Sequence, residues 1–69
     1  MSEGRFHLWL LAQVHRGDRV GDLARDMRHG GLYLEGHTYD EVRRHMEAVG
    51  ASTAALRALN AAKQEWDAL

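Results

Sequence analysis

The run Asp18-Arg19-Val20-Gly21-Asp22-Leu23-Ala24-Arg25-Asp26-Met27, followed by Gly30-Gly31, constrains this chain more than any other stretch. Val20, Leu23, Ala24 and Met27 fall at i, i+3, i+4 and i+7, which places four apolar side chains on one stripe of a helix. Asp18 stands at the N-cap position, Asp22 adds negative charge near the start, and Arg28 and His29 bring positive or titratable groups to the end. Cap, dipole and stripe therefore agree on one core-facing helix that the double glycine stops. Such a helix must be covered by neighbours. In 69 residues without a cysteine, the cover has to come from packing around a single core.

The flanking segments predict that cover. From Gly4 to His15 the chain carries Phe6, Leu8, Trp9, Leu10, Leu11 and Val14, too long and too continuous for a strand, so a largely buried helix is expected, ended by Gly17. Its stripe is Phe6, Trp9, Leu10 and Gln13 or Val14, with Leu8 and Leu11 widening the apolar face beyond what one neighbour covers. The connection through Arg16 to Asp18 is short, which makes the first two helices spatial neighbours. After Gly30-Gly31, the segment Leu32-Tyr33-Leu34-Glu35-Gly36-His37 reads as a packed loop or a single helical turn. Thr38 and Glu41 form a capping box that opens a third helix, with Val42, His45, Met46 and Val49 on its inner face and Gly50 as its stop. Ser52 or Thr53 caps a last, alanine-rich helix whose inner face holds Leu56, Leu59, Ala62 or Lys63, Trp66 and Leu69. The expected fold is all-α: one compact four-helix domain over residues 1–69, with a flexible start at 1–4 and an extra helical turn within 31–37. Trp9 and Trp66 are its expected anchors, close to Leu23 and Met27.

Several function classes are not supported. No apolar run reaches the length of a membrane span, and the N-terminus lacks the pattern of a signal peptide, so no membrane association and a cytoplasmic location are expected. His7, His15, His29, His37 and His45 include spacings of eight, whereas two metal ligands on one helix need three or four, so neither a metal nor another cofactor is expected. Asp18, Asp22 and Asp26 form a row at i+4, read as cap, dipole and surface charges, with Asp22 expected to be buried and to cap another backbone segment. Ser2, Ser52 and the threonines are explained as terminus or caps, and no nucleophile elbow occurs, so no enzyme is expected.

The chain resembles the YozE-like family of short bacterial proteins with a sterile-alpha-motif-like (SAM-like) fold. The resemblance spans nearly the whole chain: Phe6-x-x-Trp9-Leu10, Val20-Gly21-Asp22-Leu23-Ala24-x-Asp26, Tyr39-Asp40-Glu41-Val42 leading to His45-Met46, and Ala58-x-x-Ala61 with Trp66. The Gly-Asp-Leu-Ala-x-Asp core is its most specific part. Where the family has an acidic residue and a Phe-Pro pair after helix two, this chain has Gly30-Gly31-Leu32-Tyr33. The resemblance implies a SAM-like helical bundle without known enzymatic activity.

The leading functional expectation is a non-enzymatic module that binds a protein partner or itself, with Leu32, Tyr33 and Leu34 in the contact surface. The alternative is a nucleic-acid-binding module that uses Arg25, Arg28, Arg43, Arg44 and Arg57. Eight of the nine basic residues are arginine, but ten acidic residues bring the net charge to −1, which removes any global attraction to phosphate and leaves only a local patch. A helix-turn-helix spanning Val20 to Met46 fails because Gly30 to His37 is too long for its turn.

Overall fold

The computed structural model describes residues 5–29 and 38–69. Its elements are α1 (Phe6–Leu11), a 3₁₀ turn (Ala12–His15), α2 (Arg19–His29), α3 (Tyr39–Ala48) and α4 (Thr53–Asp67). The described residues are thus all-α, as the sequence predicts, with a Cα radius of gyration of 10.7 Å against about 11 Å for a compact chain of this length. The expected flexible start at 1–4, the Gly30-Gly31 stop and the helical turn within 31–37 lie outside the described residues.

The first helix is shorter than expected and ends differently. It turns inward with Phe6, His7 and Leu10, then tightens into the 3₁₀ turn, where Gln13 Nε2 donates to the Trp9 carbonyl at 3.0 Å. The carbonyls at the end of this turn are satisfied from α2: Arg25 Nη1 donates to Val14 O at 2.7 Å and to Arg16 O at 2.9 Å. A side chain from the next helix therefore closes the end that the sequence assigns to Gly17.

The second helix starts as its sequence predicts, with Asp18 Oδ1 accepting from Gly21 N at 3.1 Å. Val20, Leu23, Ala24 and Met27 are all buried. Gly21 is buried with them for a reason of its own, since a Cβ there would lie 2.0 Å from the Arg16 carbonyl oxygen. Its absence lets α2 press against the chain that leads into it. Asp22 is not the buried cap expected: its side chain is 68% exposed and pairs with Arg25, because the Asp18 cap already serves the helix start.

The capping box of α3 is present, with Glu41 N donating to Thr38 Oγ1 at 3.3 Å and Thr38 N donating to Glu41 Oε1 at 3.2 Å. Val42 and Met46 are buried, but Val49 is 65% exposed because it is the C-cap, beyond the last helical turn. The chain then reverses at Gly50, whose φ is +77°. Gly50 N donates to Glu47 O at 3.2 Å and Ala51 N to Met46 O at 2.9 Å, the paired bonds of a Schellman motif. Ser52, rather than Thr53, caps α4 by accepting from Ala55 N at 3.1 Å. Ala58, Leu59, Ala62 and Trp66 form its buried face, while Leu69, past the helix end, is 70% exposed.

Phe6 sits at the centre of the aromatic packing with no exposed surface. Tyr39 and Trp66 meet it nearly edge-on, with centroids at 5.6 and 6.0 Å, and Trp9 lies at 6.2 Å. Trp66 is buried, but Trp9 is only partly so. The anchor expected at Trp9 is supplied by Phe6, and Trp9 forms the rim where α1 meets α4.

Candidate functional site: an apolar groove and two arginine-lined depressions

The contact residues expected from the sequence, Leu32, Tyr33 and Leu34, lie outside the described residues. Apolar surface is nevertheless present on α1. With Phe6 and Leu10 turned inward, Leu8 points away from the core and is 48% exposed. Together with Trp9, Trp66 and Arg5 it lines an open depression of about 380 Å³. Trp9 and Trp66 pack against each other at 5.8 Å between centroids, which gives this groove a rigid aromatic floor. Arg5 makes no ion pair with a described residue. An apolar floor with a guanidinium at its edge that pairs with no described residue can hold an apolar side chain and a neighbouring carboxylate.

The five arginines of the alternative reading do not converge. Arg25 and Arg28 line a depression of about 460 Å³ with Val14, His15 and His29. Arg43 and Arg57 line another of about 400 Å³ with Thr53, Leu56 and Asn60. Arg44 lines neither and is exposed on α3. Their availability also differs. Arg25 bonds two carbonyls and pairs with Asp22, so it serves the fold first. Arg43 donates to Tyr39 Oη at 2.9 Å and stands 3.9 Å from Glu47. Arg28, Arg44 and Arg57 make no ion pair with a described residue.

The strongest ionic arrangement is structural. Arg16 places Nη1 2.7 Å from Glu65 Oε1 and Nη2 2.9 Å from Glu65 Oε2, and donates to Asp18 Oδ2 from Nη2 at 2.6 Å. It ties the last turns of α4 to the entry of α2. Hydrogen bonds from Arg16 hold both carboxyls below their ordinary range. That shift makes them weaker bases, which is the opposite of what proton abstraction at neutral pH requires.

His7 is the feature that sequence reading overlooked. It is completely buried in α1 beside Phe6 and Leu10. The signal was present in its position, between two inward-facing residues of a short apolar helix, but a histidine at an eight-residue spacing from the next reads more readily as a surface group. Among the described residues, no three His, Cys, Asp or Glu side chains are grouped to hold a metal ion. No described helix is long and apolar enough to cross a membrane. Compared with family models, with curated proteins and with solved structures, the chain matches none.

Proposed function

We propose that this chain is a non-enzymatic, SAM-like interaction module of the bacterial cytoplasm, and that it binds a protein partner through the groove between α1 and α4. One observation carries this reading: Leu8 is 48% exposed beside Trp9 and Trp66, in a domain small enough to need nearly all its large apolar groups inside. Tryptophan and arginine are the residue types most enriched at the energetic centres of protein interfaces, and Arg5, Trp9 and Trp66 meet here. The partner fitted by this groove presents one apolar side chain for the Trp9–Trp66 floor and a carboxylate for Arg5. The resemblance to the YozE-like family implies a SAM-like helical bundle without known enzymatic activity.

The test uses a benzophenone amino acid in place of Leu8 in the native host, with the same probe at exposed Ala48 as the control. A discrete cross-linked protein at position 8 that is absent at position 48 is expected. Excess wild-type chain should compete it away, whereas the Leu8→Glu variant, folded with an unchanged melting curve, should not. If the partner is a second copy, the adduct has twice the chain mass and sedimentation shows concentration-dependent dimers that Leu8→Glu abolishes. Equal labelling at both positions would refute the groove as a binding site.

A further inference from the structure

Four residues join α3 to α4: Val49, Gly50, Ala51 and Ser52. Both ends of this connection are fixed, by the Schellman bonds of Gly50 and Ala51 and by the Ser52 cap. A turn of three or four residues that contains glycine is the connection a helix-turn-helix uses between its two helices. In that frame the first helix crosses the nucleic-acid backbone and the second presents the exposed side chains of its opening turns to the major groove.

The surface of this frame is chemically suited to that use. Thr53, Arg57 and Asn60 are exposed at i, i+4 and i+7 on α4, a stripe about 10 Å long, or roughly three base-pair steps. Arg43 and Arg44 stand on α3, and Arg43, Thr53, Arg57 and Asn60 line one depression without a carboxylate among them. From Ala48 to Gln64 the sequence has no acidic residue, although ten are present in the chain. The negative charge that cancels the arginines overall is thus kept off the first three turns of α4.

We propose that α3, the Gly50 turn and α4 bind duplex DNA, with Thr53, Arg57 and Asn60 facing base edges in the major groove and Arg43 and Arg44 contacting backbone phosphates. The side-chain chemistry favours bases over an acidic protein. A carboxylate surface offers acceptors only, whereas Thr53 and Asn60 each carry a donor and an acceptor, which base edges can match in full. The lining of the depression includes no aromatic ring, and stacking platforms are what single-strand binders use. This surface is separate from the Leu8 groove and does not depend on it.

The experiment is fluorescence anisotropy with the full chain and labelled random-sequence duplexes of about 20 base pairs, titrated across salt. Two phosphate contacts, from Arg43 and Arg44, give a slope of log K against log salt near −1.8, so affinity should fall about 12-fold between about 50 and 200 mM salt. Arg57→Glu should weaken binding at least about tenfold, and Arg44→Glu should flatten the slope by about one; both arginines are exposed and make no ion pair with a described residue, so circular dichroism should remain unchanged. Asn60→Ala should reduce discrimination among sequences selected from the pool while leaving the salt slope intact. Arg28→Glu, in the other depression, should leave affinity within about twofold, and Leu8→Glu should leave it unchanged. The proposal is overturned by no binding at low salt, by equal loss from Arg28→Glu and Arg57→Glu, by single strands binding as tightly as duplex, or by polyglutamate competing as well as unlabelled duplex, which would assign the surface to an acidic protein.

Discussion

Replacing Gly21 and Gly17 by alanine should move stability in opposite directions, and the reason lies in one backbone contact. In an ordinary helix interior, glycine to alanine stabilises by about 1 kcal/mol, and Gly21 is inside α2. Here, however, the added Cβ would lie 2.0 Å from Arg16 O, 2.7 Å from Arg16 C and 2.9 Å from Arg16 Cβ. Two of these are backbone atoms, and the same carbonyl oxygen already accepts a hydrogen bond from Arg25. The clash cannot be relieved by rotating a flexible side chain. Either α2 withdraws from the turn or the turn withdraws from α2, and both movements pull on the Arg25 bonds. Overpacking of this kind costs about 1 to 3 kcal/mol, and the backbone contact places Gly21→Ala at the upper end. Less about 1 kcal/mol for propensity, the net loss is about 2 kcal/mol, or a fall in melting temperature of about 8 to 16 °C for a domain of this size. Gly17 has no atom within 4 Å of its added Cβ and no left-handed φ, so Gly17→Ala should be neutral or stabilise by about 0.4 to 1 kcal/mol through the unfolded chain. Thermal and urea unfolding followed by circular dichroism at neutral pH measures both. A Gly21→Ala protein as stable as wild type, or more so, would refute the close approach of α2 to Arg16.

The two tryptophans should separate. Trp66→Ala, which empties a buried site against Phe6 and Trp9, should cost about 3 to 5 kcal/mol and leave the chain largely unfolded at room temperature, whereas Trp9→Ala at the rim should cost about 1 to 2 kcal/mol and remain cooperative; equal losses would place both in the core. Acid should weaken the fold through the Arg16 clasp. Asp18 and Glu65 have folded pKa values below their unfolded ones, so their stabilisation is fully present above the unfolded carboxylate range, at about pH 5 and higher, and is lost as pH falls through the folded values. Melting temperature measured from pH 7 to about 2.5 should fall more gently in Arg16→Gln than in wild type, and superimposable pH profiles, apart from a constant offset, would show that Arg16 does not hold these carboxyls.

What was legible in the sequence is what short-range chemistry decides. The Asp18 cap, the Thr38–Glu41 box and the Gly50 stop each depend on residues within three or four positions, and all three are present in the structure. The inner stripes of α2 and α3 were legible for the same reason, until the helix ran out. Val49 and Leu69 continue the period of their faces but lie beyond the last turn, where the periodicity no longer describes the chain. Gly21 shows the opposite failure: a helical stripe explains the apolar residues around it, while its own necessity comes from the Arg16 carbonyl that the folded chain brings against it.

The arginines were the hardest residues to interpret, because a guanidinium's role depends on partners that helical spacing does not reveal. As a string of letters, Arg16, Arg25, Arg43, Arg44 and Arg57 are interchangeable cations in a chain whose net charge is −1. Folding sorts them. Arg16 reaches Glu65, 49 residues away, and Arg25 reaches carbonyls 9 and 11 residues away, so both are engaged before any ligand arrives. Arg44 and Arg57 are left without an ion pair to a described residue, on either side of a turn of four residues. A helix-turn-helix sought between α2 and α3 fails on the length of 30–37, whereas the junction between α3 and α4 has the required length, glycine and caps. Its exposed face follows from the inner face expected from the sequence, of which Leu59, Ala62 and Trp66 are buried, leaving Thr53, Arg57 and Asn60 on the other side.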